Sequence, residues 1–169
     1  MAKKADNKKL IFLVALVFGA VAIAMYFLPF VKLHLGSDEI YEETLYSGFN
    51  CMFGAEKIEV TGVIGDLKAS AGWDSTKLVP VALIAGILLA VALIAALFTK
   101  LVNKKKVFLV KVVAAGLFVA SAVLAVALVK MSFFSANDIN SGKDFYNVGI
   151  GAILSCTFAS LAGVGVLIS

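Results

Sequence analysis

Four long apolar runs, separated by polar stretches of unequal length, set the pattern of the chain. They cover about residues 10–31, 78–99, 107–129 and 145–168, each near the roughly 20 residues a helix needs to cross a bilayer. None holds an Asp, Glu, His or Arg, and Lys111 is the only charge inside them. It lies about one turn from the basic stretch Lys100–Lys106, close enough for its ammonium to snorkel to the headgroups. Pro29 is expected to close the first helix, because the residue before a proline avoids the helical region. Pro80 suits the first turn of the second. Ala22-Ile23-Ala24 imitates a signal-peptide cleavage site, but the apolar run continues through Met25-Tyr26-Phe27-Leu28, which argues for a retained span.

Between the first and second runs lies the one long stretch suited to water, a cap over residues 32–77. Apolar and polar residues alternate with period two in Val31–Leu35, Phe49–Phe53 and Lys57–Thr61, the mark of half-buried strands. Gly36-Ser37-Asp38 and Gly54-Ala55-Glu56 read as turns between them. The expectation is an all-α membrane protein: a four-transmembrane-helix bundle, one membrane domain over residues 1–169, with a small extracellular antiparallel β-sheet in the first outer loop. A sheet that small needs the helix ends as a floor.

The fourth run divides by side-chain size. At about 100° per residue, Gly151, Ala152, Ser155, Cys156, Ala159, Ser160, Ala162 and Gly163 share one half of the helix. Ile153, Leu154, Phe158, Leu161, Val164 and Ile168 share the other, while Val166 and Leu167 break the rule on the small side. Lipid supplies no hydrophobic drive between helices, so close backbone approach and its dispersion contacts must hold them together. Gly151, Ser155, Ala159 and Gly163 are the expected packing residues, with Ala82, Gly86 and Ala90 of the second run as the partner stripe. Such a face packs within one bundle or against another chain.

Composition sharpens the class. A hydrophobic content of 62% and a mean hydropathy of +1.01 stand far above a soluble domain, where apolar residues make up roughly 45–50%. All fifteen basic residues are lysines. Without the guanidinium fork, nucleic acid is not an expected partner, and the lysine usage points to an AT-rich, bacterial genome. The net charge of +4 conceals a segregation. Lys3, Lys4, Lys8, Lys9 and the Lys100–Lys106 turn carry the positive charge of the short segments, so the positive-inside rule puts both termini in the cytoplasm of a multi-pass protein of the plasma (cell) membrane. The cap and the second link then face outward, with Tyr26, Phe30, Trp73, Phe133, Phe134, Phe145 and Tyr146 as the expected aromatic belt.

Candidates for chemistry are few. His34 is the sole histidine, which leaves no zinc set and no catalytic triad without it. Asp138-Ile139-Asn140-Ser141-Gly142 opens like a calcium loop, but glycine stands where the next oxygen ligand belongs. Asp38, Glu39, Glu42 and Glu43 read as a solvated acidic face. Cys51 lies in the cap and Cys156 about halfway along the last span, too far apart to bridge. They read as free small hydrophobic residues, a Cys51–Cys51 bridge between chains being the remaining alternative. No catalytic residue, metal or cofactor is expected.

One long first loop, a short second loop and a small sheet over four helices resemble the claudin-type tetraspan architecture. Ser47-Gly48-Phe49-Asn50-Cys51 sits where that family places a Gly-Leu-Trp motif followed by cysteine, and Asp144-Phe145-Tyr146-Asn147 looks like its short second-loop motif. The chain has Phe49 in place of the Leu-Trp pair and lacks the second loop cysteine. The resemblance implies the fold rather than junction biology. The functional expectation is a non-catalytic membrane protein in contact with lipid, a homo-oligomer or a subunit of a larger membrane complex. Its contacts are expected through the cap at Phe49, Cys51, Phe53, Trp73, Phe145 and Tyr146, and through the small face of the fourth span. A pore or transport component for small solutes is the alternative, with Ser121, Ser155, Thr157 and Ser160 as the polar lining.

Overall fold

The computed structural model describes residues 2–37, 40–53, 58–61, 68–71, 75–136 and 146–169. The first helix, α1 (Ala2–Ala24), ends in a 3₁₀ turn (Met25–Phe27) and leads into β1 (Pro29–Ser37) and β2 (Ile40–Ser47). A short helix α2 (Gly48–Phe53) and the strands β3 (Ile58–Thr61) and β4 (Lys68–Ala71) follow. Then come α3 (Ser75–Phe98), α4 (Lys104–Ala136), β5 (Tyr146–Val148) and α5 (Ile150–Ile168). Among the described residues, the four long helices α1, α3, α4 and α5 are long and apolar enough to cross a membrane.

The bundle buries its small residues and turns its large ones outward. On α3 the buried line is Ala82, Ala85, Leu89, Ala92 and Ala96, whereas Ile84, Ile87, Val91, Ile94 and Leu97 are exposed. On α4 it is Ala114, Phe118, Ser121, Ala122 and Ala125. A water-soluble bundle would do the reverse; this distribution suits a lipid surround, where the seams gain by close approach. Two serines stitch the seams. Ser121 Oγ donates to the Ala85 carbonyl at 2.8 Å, joining α4 to α3, and Ser155 Oγ donates to the Ala22 carbonyl at 3.1 Å, joining α5 to α1.

The small face of α5 lies inside the chain. Gly151, Ala152, Ser155, Ala159, Ala162, Gly163 and Val166 are buried, and α5 packs chiefly on α1 and α4. The expected partner stripe on α3 is corrected by this arrangement. The main neighbour of α3 is α4, and Ala90 is exposed although Ala82 is buried. Spacing explains the miss: eight residues at about 100° each carry Ala90 about 80° past Ala82, whereas Leu89 returns to within about 20° of it. Gly86 serves another contact, with Met52 of α2.

The helices start before the first three expected spans, at Ala2, Ser75 and Lys104, and three other ends differ for identifiable reasons. α1 closes at Ala24 and its 3₁₀ turn, since Pro29 and the residues after it are claimed by β1. α5 starts at Ile150 rather than near residue 145, because Tyr146–Val148 pair with Leu33–Val31 as an added strand. α4 runs 33 residues, about 50 Å at 1.5 Å per residue, and outlasts the roughly 30 Å hydrocarbon core. The segment Lys130–Ala136 has no Gly or Pro to stop it.

Among the described residues the strands form two antiparallel sheets, one three-stranded in the order β2-β1-β5 and one two-stranded, β3-β4. The first draws on the α1–α3 and α4–α5 links, so it is not confined to the first loop. A bulge falls between Pro29 and Val31 of β1. It lets consecutive residues Phe30 and Val31 both be buried, at 1% and 0% exposure, where regular alternation would bury one. At the bulge the Phe30 carbonyl accepts the Gly149 N–H at 2.7 Å. A Cβ on Gly149 would collide with the Pro29 carbonyl, and one on Gly151 would lie 2.8 Å from the Leu28 carbonyl oxygen. Here the sheet and α5 meet backbone to backbone.

This contact predicts an order of sensitivity. Gly151→Ala is expected to lower stability by about 1–3 kcal/mol, because backbone atoms cannot step aside as a flexible side chain can. Gly163→Ala, whose Cβ would meet Ala115 O and Phe118 Cβ at 3.2 Å, should cost less. Gly116→Ala, with open space around it, should stay within about 0.5 kcal/mol of the parent. Thermal unfolding in mild detergent, followed by circular dichroism, checks the ranking; equal effects at the three positions would contradict it.

Candidate functional site: an aromatic ladder on a sealed base

Phe49–Phe53 forms a helix rather than the strand its alternation suggests. Ser47 supplies the reason: its Oγ accepts the Asn50 N–H at 3.1 Å, a side-chain N-cap at the start of α2. The same letters satisfy both periods, since Phe49 and Phe53 are also four apart on a helix while Cys51 takes the opposite side. The base of α2 is closed. Gly48 N–H donates to the Leu28 carbonyl at 3.3 Å, and a Cβ there would meet the Tyr26 ring at 2.8 Å. Cys51 and Met52 are buried, the methionine lying over Gly86 of α3.

Aromatic rings climb from that base to the surface. Phe30 and Tyr26 stand 4.5 Å apart between centroids, both buried. Tyr26 meets Phe49 edge-on at 6.1 Å. Phe49 touches Phe27 at 4.6 Å and stacks parallel to Phe53 at 6.3 Å. Phe27 and Phe53 are 74% and 70% exposed. Both exposed rings rest on Phe49, which is backed by the buried Tyr26. Offset and tilted ring pairs are worth about 0.5–1.5 kcal/mol each beyond area burial, so the exposed rungs are held rather than free.

The other expected contact residues fall elsewhere. Tyr26 and Phe30, expected in an aromatic belt, are interior, and Phe27 takes the outward position. Cys51 is 1% exposed and free; it packs inward, which leaves no route to a Cys51–Cys51 bridge in this fold. Trp73 and Phe145 lie outside the described residues, as do Gly54-Ala55-Glu56 and Asp138–Gly142; for Tyr146 only the strand position is described. Phe27 is the member of the ladder that the sequence pattern missed. Its signal was present, an aromatic two residues before a helix-closing proline and so outside the regular seam.

Chemical groups in the described part are sparse. No three His, Cys, Asp or Glu side chains gather to hold a metal among the described residues. Thr157 Oγ1 is spent on the Ile153 carbonyl of its own helix, and Ser160 is half-buried. No protein-family model matches the chain, and no curated protein matches it. The geometry of the ladder and bundle carries the functional reading.

Burial pushes the Cys51 thiol up to about 12, because the thiolate would lose its hydration there. The folded state therefore keeps the proton after the unfolded thiol, at about 8.5, has released it. The stability Cys51 contributes is full below about pH 8.5 and is lost as pH rises toward 12. Alkaline unfolding curves should show a smaller loss over that window in Cys51→Ala than in the parent. A maleimide should label Cys51 only after unfolding; prompt labelling of the folded protein would show that the base of α2 is open.

Proposed function

We propose that this chain is a non-catalytic, multi-pass membrane protein that associates, with its own copies or with a larger membrane complex, through the aromatic ladder Phe27–Phe49–Phe53. The ladder carries this reading. It is apolar, exposed and braced through Tyr26 and Phe30 to the core, and rigid aromatic surfaces are the usual centres of protein contacts. The small face of α5 builds the bundle that supports it rather than meeting a partner, since its residues are covered by α1 and α4.

The sidedness belongs to the same proposal. Lysines crowd the end of the bundle formed by the start of α1 and the α3–α4 turn, which the positive-inside rule assigns to the cytoplasm of a bacterial plasma membrane. The sheets and the ladder then face outward, in an arrangement similar to the claudin type. A solute path through one bundle is poorly supported. Phe118 and Leu89 fill the interior, and the hydroxyls of Ser121 and Ser155 are taken by helix carbonyls.

Replacing Phe27 and Phe53 together by Ser tests the assignment. The particle mass in mild detergent should fall toward that of a single chain, or a co-purifying chain should be lost, with a loss of thermal stability no larger than the about 1–3 kcal/mol that the two ring pairs contribute. An unchanged particle with weaker bilayer association would instead assign the ladder to the lipid interface and overturn the proposal.

A further inference from the structure

At the end of the bundle opposite the sheets, α1, α4 and α5 part to leave a cleft of about 290 Å³. Lys8 and Lys111 line it, together with Phe108, Leu167 and Ile168. Lys111 is half-buried, and its Nζ donates to the Ser169 hydroxyl at 3.3 Å, a neutral partner. Neither lysine makes an ion pair among the described side chains; Asp6, the acidic residue of the leader, lies outside them. Two ammonium groups and a hydroxyl thus converge on a cleft whose walls are apolar: Phe108, Leu167 and Ile168 are 71%, 45% and 59% exposed. The cleft sits where the apolar spans of α4 and α5 end, the level at which the membrane reading above expects lipid headgroups.

We propose that this cleft holds an anionic phospholipid, its phosphate between Lys8 and Lys111 and an acyl chain along Phe108 and Ile168. Charge and shape point to one molecule with both characters. A free phosphate would use the ammonium groups and leave the apolar walls unused, whereas a zwitterionic lipid brings a cation of its own against the lysines. Basic pockets between spans near a membrane surface take acidic headgroups in this way. The neighbouring lysines differ in setting. Lys105 and Lys106 are exposed on the first turn of α4, and Lys100 stands over the Phe12 ring at 5.2 Å. Lys8 is exposed as well, but it lines the cleft with Lys111 while the other three do not. The inference rests on the membrane reading above but not on the ladder or its partner.

Native mass spectrometry of the detergent-solubilised chain, titrated with phosphatidylglycerol or phosphatidylcholine, tests it, with inorganic phosphate as competitor. Phosphatidylglycerol should be retained in preference to phosphatidylcholine. Lys8→Gln with Lys111→Gln should weaken that retention about 25-fold, at about fivefold for each lysine near the surface, without changing the melting temperature in lipid-free detergent. The matched pair Lys105→Gln with Lys106→Gln should keep most of it. Equal loss in the two pairs would reduce the effect to diffuse charge and overturn the site. So would retention that does not distinguish the two lipids, or full displacement by millimolar phosphate, which would identify a free anion as the occupant. Recovery of the chain from the soluble fraction, read at the extraction step, would overturn the membrane reading and this site together.

Discussion

Everything above the bundle depends on how closely the backbone at Leu28–Phe30 approaches the start of α5. Gly149 and Gly151 leave no side chain in the gap, and the Phe30 carbonyl takes the Gly149 N–H. The bulge of β1 at this point turns Phe30 and Val31 inward together. From there the consequences run outward. β5 can reach β1 because α5 begins only at Ile150, and Phe30 can buttress Tyr26, which in turn backs Phe49. A sheet of three short strands is marginal by itself. Here one of its edges is continuous with a helix of the bundle, and its middle strand with another.

The bundle achieves cohesion with little side-chain bulk. Alanine, glycine and serine line the seams, and phenylalanine fills the interior at Phe118. Interhelical hydrogen bonds from serine typically contribute about 0.6 kcal/mol in such settings, so Ser121 and Ser155 fix register more than they add stability. Most of the energy must come from many weak dispersion contacts, each about 0.1–0.2 kcal/mol and each lost with a small separation. That is why glycine positions facing a neighbour's backbone are sensitive, while the branched residues outside can vary.

The sequence disclosed most where one physical cause dominated. Spans without Asp, Glu, His or Arg had to be apolar helices, although the first ends at Ala24 and its 3₁₀ turn, before Pro29 is reached. On the small side of the fourth run, Gly151, Ala152, Ser155, Ala159, Ala162 and Gly163 are buried; of the two exceptions Val166 joins them, whereas Leu167 is exposed. Elsewhere two causes competed. Phe49–Phe53 fits period two and a single helical turn alike, and a hydroxyl at Ser47 decided it. Ile40–Ser47 forms β2 although the Glu-Glu pair at its centre breaks alternation, since its place is set by pairing with β1. The three-residue β5 has no local signature; only its partner makes it a strand. The ladder was half legible for the same reason: Phe49 and Phe53 were visible as candidates, but Phe27 joins them only through the fold.

Hydrogen exchange at single amides addresses the junction directly. If the sheet and bundle are tied at Leu28–Phe30, the amides of Gly149 and Gly48, bonded to Phe30 and Leu28, open only with the bundle. Their exchange free energies should then match those of core amides such as Ala122 and Ala159 and move with them in denaturant. Amides of Gly149 and Gly48 that exchange several kcal/mol more easily than the bundle core would show a cap that opens on its own, and would contradict the account.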